Sequence, residues 1–203
     1  HRHSSQHFAP GQGSSGMTSL LRTFKWPETP PATITLGVST FGPRGEIDGL
    51  RQFIPESCRL PTYSEGALAH AGLRLIALAF DDGPAVVCDY QELSSPERLA
   101  LLDAVLNRGH VLFGHHIGGD LAFLMREATR LGIEITGGPQ VVDTAHILRL
   151  LTDQDPHLLP DKGRMSLETC VREFLEYSIP RPPVGSNERP SQADAASLGQ
   201  RVD

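Results

Sequence analysis

The chain has 203 residues, enough for one domain of ordinary size, and at 39% hydrophobic and 21% charged it is globular in composition. A formal net charge of −6 excludes a uniformly basic nucleic-acid-coating protein, although one groove of an acidic chain can still be positive. Cys58, Cys88 and Cys170 are odd in number and too scattered for a disulfide framework or a zinc pattern, which points to a reducing, cytoplasmic setting. No apolar run is long enough to cross a bilayer, so no membrane partner is expected.

His1 to Gly16 is rich in His, Ser, Gly and Gln and precedes Met17, so residues 1–16 read as an expression tag. Residues 17–32, with Pro27, Pro30 and Pro31, are expected to form an extended lead-in to a domain over 33–200. Thr33 to Thr40 is β-branched and alternating, which predicts a strand. Residues 42–66 read as a long excursion with room for a short helix near Leu50. Leu73–Phe80 and Ala85–Tyr90 are strands joined by a hairpin turn at Asp81-Asp82-Gly83. Ser95-Pro96-Glu97 starts a helix with a cap, a proline and an acid, and Leu99, Leu102, Val105 and Leu106 form its apolar stripe.

His110–Gly114 reads as a short buried strand. The next helix carries Leu121, Leu124, Met125, Ala128 and Leu131 inward and stops at Gly132. Gln140–Val142 is a strand, Thr144–Leu151 a helix and 152–163 a polar loop. Ser166 caps a helix with Leu167, Val171, Phe174 and Leu175 inward. Prolines 180, 182 and 183 then break regular structure before a short helix from about Ser191 to Leu198. There are no internal repeats. The order predicts an α/β fold, a mixed sheet flanked by helices.

Two acidic residues sit where a strand hands over to a helix: Asp120, after Gly114-His115-His116-Ile117-Gly118-Gly119, and Asp143, after Val141-Val142. Either alone can be a helix cap. Together they lie at the C-terminal ends of adjacent strands, expected to be buried, where α/β sheets place their sites. Two converging carboxylates repel unless a cation or proton intervenes, and Mg2+ or Mn2+ suits oxygen ligands.

Segment 112–124 resembles the second motif of the DEDD 3′–5′ exonucleases, the DnaQ-like group of the ribonuclease H superfamily, with His116 and Gly119 where Asn and an aromatic residue are usual. Val141-Val142-Asp143-Thr144 resembles the Asp-Thr that commonly follows. Met165 to Cys170 is similar to the Ser-Leu-Glu helix before the third motif, and Leu73–Asp89 to the hairpin of exonuclease domains in phage-type family A DNA polymerases. The resemblance implies a ribonuclease H-like fold, metal ligation by Asp120 and Asp143, and a cleft lined by Thr40, His116 and Thr144. It also implies hydrolysis by metal-activated water. The first motif, Asp-x-Glu-Thr, aligns with Gly37-Val38-Ser39-Thr40 and lacks both carboxylates. The third aligns Asp194 with the last ligand and Pro190 with the aromatic that positions water, a role proline cannot fill.

Asp194 can equally be a solvated helix residue. Glu46, Asp48, Asp81 and Asp82 are the acids nearest to serving as substitutes, with loop and turn chemistry as their ordinary reading. Of the adjacent histidines only one faces a site easily, and His116 is expected to do so while His115 is structural. Three functions stay open. The first is an impaired exonuclease-like domain that binds single-stranded DNA or a 3′ nucleic-acid end, with Mg2+ or Mn2+ held weakly if at all. The second is a working nuclease using acids such as Glu46 or Asp48. The third is a scaffold for a polymerase or other replication protein, which the lack of basic runs favours.

Overall fold

A computed structural model describes residues 20–41, 72–154, 166–176, 178–179 and 190–202. Its strands are β1 (Leu20–Leu21), β2 (Thr33–Phe41), β3 (Gly72–Phe80), β4 (Val86–Asp89), β5 (Val111–Gly114) and β6 (Gln140–Asp143). Its helices are α1 (Ser95–Asn107), α2 (Ile117–Arg130), α3 (Thr144–Gln154), α4 (Leu167–Leu175) and α5 (Gln192–Gly199). The sheet order is β1-β4-β3-β2-β5-β6. β2, β3 and β4 form an antiparallel meander, and β5 and β6 add in parallel beside β2 through the crossover helices α1 and α2. The expected mixed α/β sheet flanked by helices is therefore present.

Strand alternation divides the core. Ile34 and Leu36 of β2, with Ile76 and Leu78 of β3, face α1 and α2 and join Leu102, Leu106 and Leu124 in the larger cluster. Leu75 and Ala77 of β3 face the other way and pack on Ala195, Leu198 and Val202 in and after α5. Gly37 pairs with Ala77 across β2 and β3, so it lies on the α5 face. Helix α5 thus covers the same strand position that the resemblance assigns to the first metal ligand.

The lead-in is tied down rather than loose. Leu20 and Leu21 pair in parallel with Val87 and Cys88. Asp81, at φ 50°, aims its Oδ1 at the N–H groups of Ala32 (3.0 Å) and Thr33 (2.9 Å). The hairpin turn at 81–83 is therefore also a clasp. The Phe24 N–H donates to Glu97 Oε1 at 3.0 Å, and Trp26 meets Phe80 edge-on at a 5.4 Å centroid separation.

Several local expectations are corrected. Ser94, not Ser95, caps α1, its N–H donating to Glu97 at 2.9 Å. In α1, Leu101 is buried while Leu99 is exposed, and in α2 Phe123 is buried while Met125 is exposed. Both helices turn a wider arc to the core than the single stripe assigned to them. Phe174 and Leu175 of α4 are exposed and Cys170 is buried instead. Helix α3 runs on to Gln154, three residues beyond the expected end. β6 is an edge strand with Val141 exposed, not the buried strand expected. The excursion at 42–66 lies outside the described residues, and so do Glu46 and Asp48.

Candidate functional site

β2, β5 and β6 run parallel, so β5 and β6 hand over to α2 and α3 on one side of the sheet. Gly114 makes the first of these turns possible. A Cβ there would stand 2.9 Å from Ile117, the first residue of α2, so only glycine lets the helix start so close to the strand. The carboxylate of Asp120, one turn into α2, accepts the Val38 N–H at 3.2 Å and so joins the helix to β2. Asp143 ends β6. Its Oδ1 accepts two N–H groups, from His116 and Ala145, each at 2.9 Å. Asp143 therefore fastens the start of α3 and the turn before α2.

The charge of Asp143 acts on Asp120. Burial pushes the Asp120 carboxyl up. The Val38 hydrogen bond and the charge of Arg201 pull it down, Asp143 adds to the rise, and it settles at about 7. Beside it lies a cavity of about 380 Å³. Its polar lining comprises Thr35, Asp120, His115, Thr144, Gln200 and Arg201, and its apolar lining includes Val171, Leu198 and Val202.

The other sequence-derived site residues lie as follows. His115 lines the cavity, not His116. With the Thr144 hydroxyl donating to Gly114 O at 3.2 Å, His115 Nδ1 is the donor to Thr144 Oγ1 at 3.0 Å. His116 is exposed at the start of α2 with φ 56°. The alternation argument fails there because His116 is in the left-handed region, not on an extended segment. Gly37 lines the cavity, but a Cβ on it would stand 2.9 Å from Val202 Cγ1 and 3.6 Å from Leu198 Cδ1. Ser39 and Thr40 are half-buried on β2 at a bulge and do not line the cavity. Pro190 is half-buried just ahead of α5.

Asp194 is neither a cavity residue nor a solvated one. It accepts from Arg74 Nη2 at 3.0 Å and from the Ser191 N–H at 2.9 Å, closing a capping box on α5. The Arg74 side chain is 3% exposed and that of Asp194 13%, so this ion pair is largely desolvated.

Among the ionisable residues lining the cavity, Arg201 was not singled out by sequence. Its Nη1 donates to Glu168 Oε1 of α4 at 2.5 Å, and its charge acts on Asp120. Burial pushes the Glu168 carboxyl up, but the Arg201 hydrogen bond, a backbone hydrogen bond and the Arg201 charge pull it down to about 2. The available signal was the spacing of Leu198 and Val202, which continues the apolar face of α5 past its end and carries Arg201 alongside.

A divalent magnesium or manganese ion needs several oxygen ligands. Among the described residues, no three His, Cys, Asp or Glu side chains gather as such a set. Gly37 and Ser39 supply no carboxylate, Asp143 holds two backbone amides, and Asp194 holds Arg74. The described residues do not fit a two-metal centre.

No family model matches the chain, and no curated protein matches it significantly. Solved structures do. The EXO domain of Nibbler from Aedes aegypti is 15% identical at a TM-score of 0.57, over 85% of this chain and 73% of that one. NrnC of Brucella melitensis bound to pGG is 17% identical at a TM-score of 0.57, over 91% and 75%. The same NrnC with bound Mg2+ gives 18% and 0.50, over 85% and 67%. At these identities the likeness is one of fold, and it agrees with the motif order and sheet topology: the chain has the ribonuclease H-like fold of DnaQ-like exonuclease domains.

Proposed function

We propose that this chain is a degenerate 3′–5′ exonuclease domain that no longer hydrolyses phosphodiesters and retains its cleft as a binding site for a nucleic-acid end. The observation that carries this reading is the packing at Gly37. At the place of the first carboxylate even a Cβ would stand 2.9 Å from Val202 Cγ1, with Leu198 Cδ1 in ordinary contact at 3.6 Å, so the wall facing Gly37 leaves little room for a longer side chain without a shift of Val202. The cleft itself persists at about 380 Å³, with Arg201, Gln200, His115 and Thr144 as polar groups. The pGG bound to NrnC, on the same fold, supports a short nucleic acid as the class of ligand.

The test pairs two measurements on one preparation. Incubation of 3′-labelled single-stranded DNA and RNA with Mg2+ or Mn2+ should leave the substrates intact. Fluorescence anisotropy at low salt should show binding that weakens steeply as salt rises, because phosphate contacts release counterions. Chelator-sensitive digestion abolished by Asp120→Ala would instead establish the working nuclease that draws on acids such as Glu46 or Asp48. Intact substrate with no binding at low salt would leave the scaffold for a replication partner as the better reading.

A further inference from the structure

The cleft is lined by a fixed cation, Arg201. Arg201 lines the cavity with Asp120, carries a charge that acts on Asp120, and is anchored through Nη1 to Glu168. Its side chain is 22% exposed, and that of Glu168 is 25%, so the pair is sheltered but reachable from the cavity. A guanidinium has five N–H donors in a planar fork, and Glu168 takes one of the two on Nη1. That fork suits phosphate oxygens.

Charge and sterics point the same way. The ligand set for a divalent ion is missing among the described residues, and the wall at Gly37 is closed by apolar side chains. Of the ionisable groups lining the cavity, Arg201 is the permanent cation and Asp120 the acid, while Glu168 anchors Arg201 from α4 without lining the cavity. We propose that Arg201 takes the place of the metal in engaging ligand phosphate, so that the cleft binds a nucleic-acid end without any divalent ion. This rests on the reading of the cleft as a nucleic-acid site. Glu168 then acts as a positioning residue, because it holds the guanidinium against the cavity wall.

The experiment is an anisotropy titration of a short fluorescein-labelled single-stranded oligonucleotide, at low salt, in EDTA and again in Mg2+. The wild-type chain should bind equally well in both. Arg201→Gln should weaken binding about tenfold in both, the loss of a charge-assisted hydrogen bond. Arg201→Lys, which keeps the charge without the fork, should fall between them. Each variant's thermal melt identifies a folding defect, and the wild-type comparison of the two buffers needs no variant. Binding that requires Mg2+ overturns the proposal, and so does metal-independent binding that folded Arg201→Gln leaves unchanged. Either result leaves the nucleic-acid reading standing. Absence of binding in both buffers contradicts that reading and the Arg201 proposal together.

Discussion

At the scale of single residues, the proposed loss of activity rests most on Gly37. Restoring the motif with Gly37→Asp and Ser39→Glu puts a side chain where a Cβ already comes within 2.9 Å of Val202. We expect that double variant to lose about 1–3 kcal/mol in urea unfolding through overpacking and to gain no hydrolysis. Metal-dependent digestion by it would show that the wall yields easily. Asp120 gives a second prediction. Its carboxyl sits at about 7 in the folded chain against 3.8 for the free group. The folded state therefore holds a proton that the unfolded state has released between those values. Its contribution to stability is complete below 3.8 and is lost as pH rises through 7. Asp120→Asn should flatten that part of the stability profile and be more stable than wild type near pH 8, by on the order of 2 kcal/mol. An unchanged pH profile would contradict the burial of that carboxyl. Asp120 and Asp143 were legible in sequence because strand-to-helix junctions leave a clear local pattern. His115 was not, because the backbone turn that exposes His116 depends on Asp143 accepting its N–H from another strand.

At the scale of elements, α5 is held by a buried ion pair that also caps it. Asp194→Ala removes both, and we expect a loss of about 3 kcal/mol or more in chemical denaturation, since a buried charge on Arg74 loses one of its partners. A loss below about 0.5 kcal/mol, the range of an exposed pair, would contradict this picture. The lead-in depends on Asp81. Asp81→Ala should speed hydrogen exchange at the Ala32 and Thr33 amides, each of which loses its carboxylate acceptor, and should cost about 1–2 kcal/mol. Unchanged exchange at both amides would refute the clasp. Strands β2 to β6 and all five described helices were legible from periodicity and caps. The two-residue β1 was not, because its pairing to β4 is set by tertiary contact and its own sequence is too short to carry a period. The role of Asp194 was equally hidden, since its partner Arg74 lies on a strand far away in sequence.

At the scale of the whole molecule, the sheet, the crossovers and the helices reproduce the fold of exonuclease domains, while Gly37 packs against Val202 and Leu198 and a guanidinium, Arg201, lines the cleft. On the reading proposed above, fold and chemistry have separated: among the described residues no three His, Cys, Asp or Glu side chains gather to hold a metal ion. The most direct measurement is a time course of 3′-labelled single-stranded DNA with excess purified protein, in Mg2+ and in Mn2+, resolved to single nucleotides. Full-length substrate at every time point is the expected result. A shortening ladder that EDTA stops and that Asp120→Ala abolishes would contradict the account.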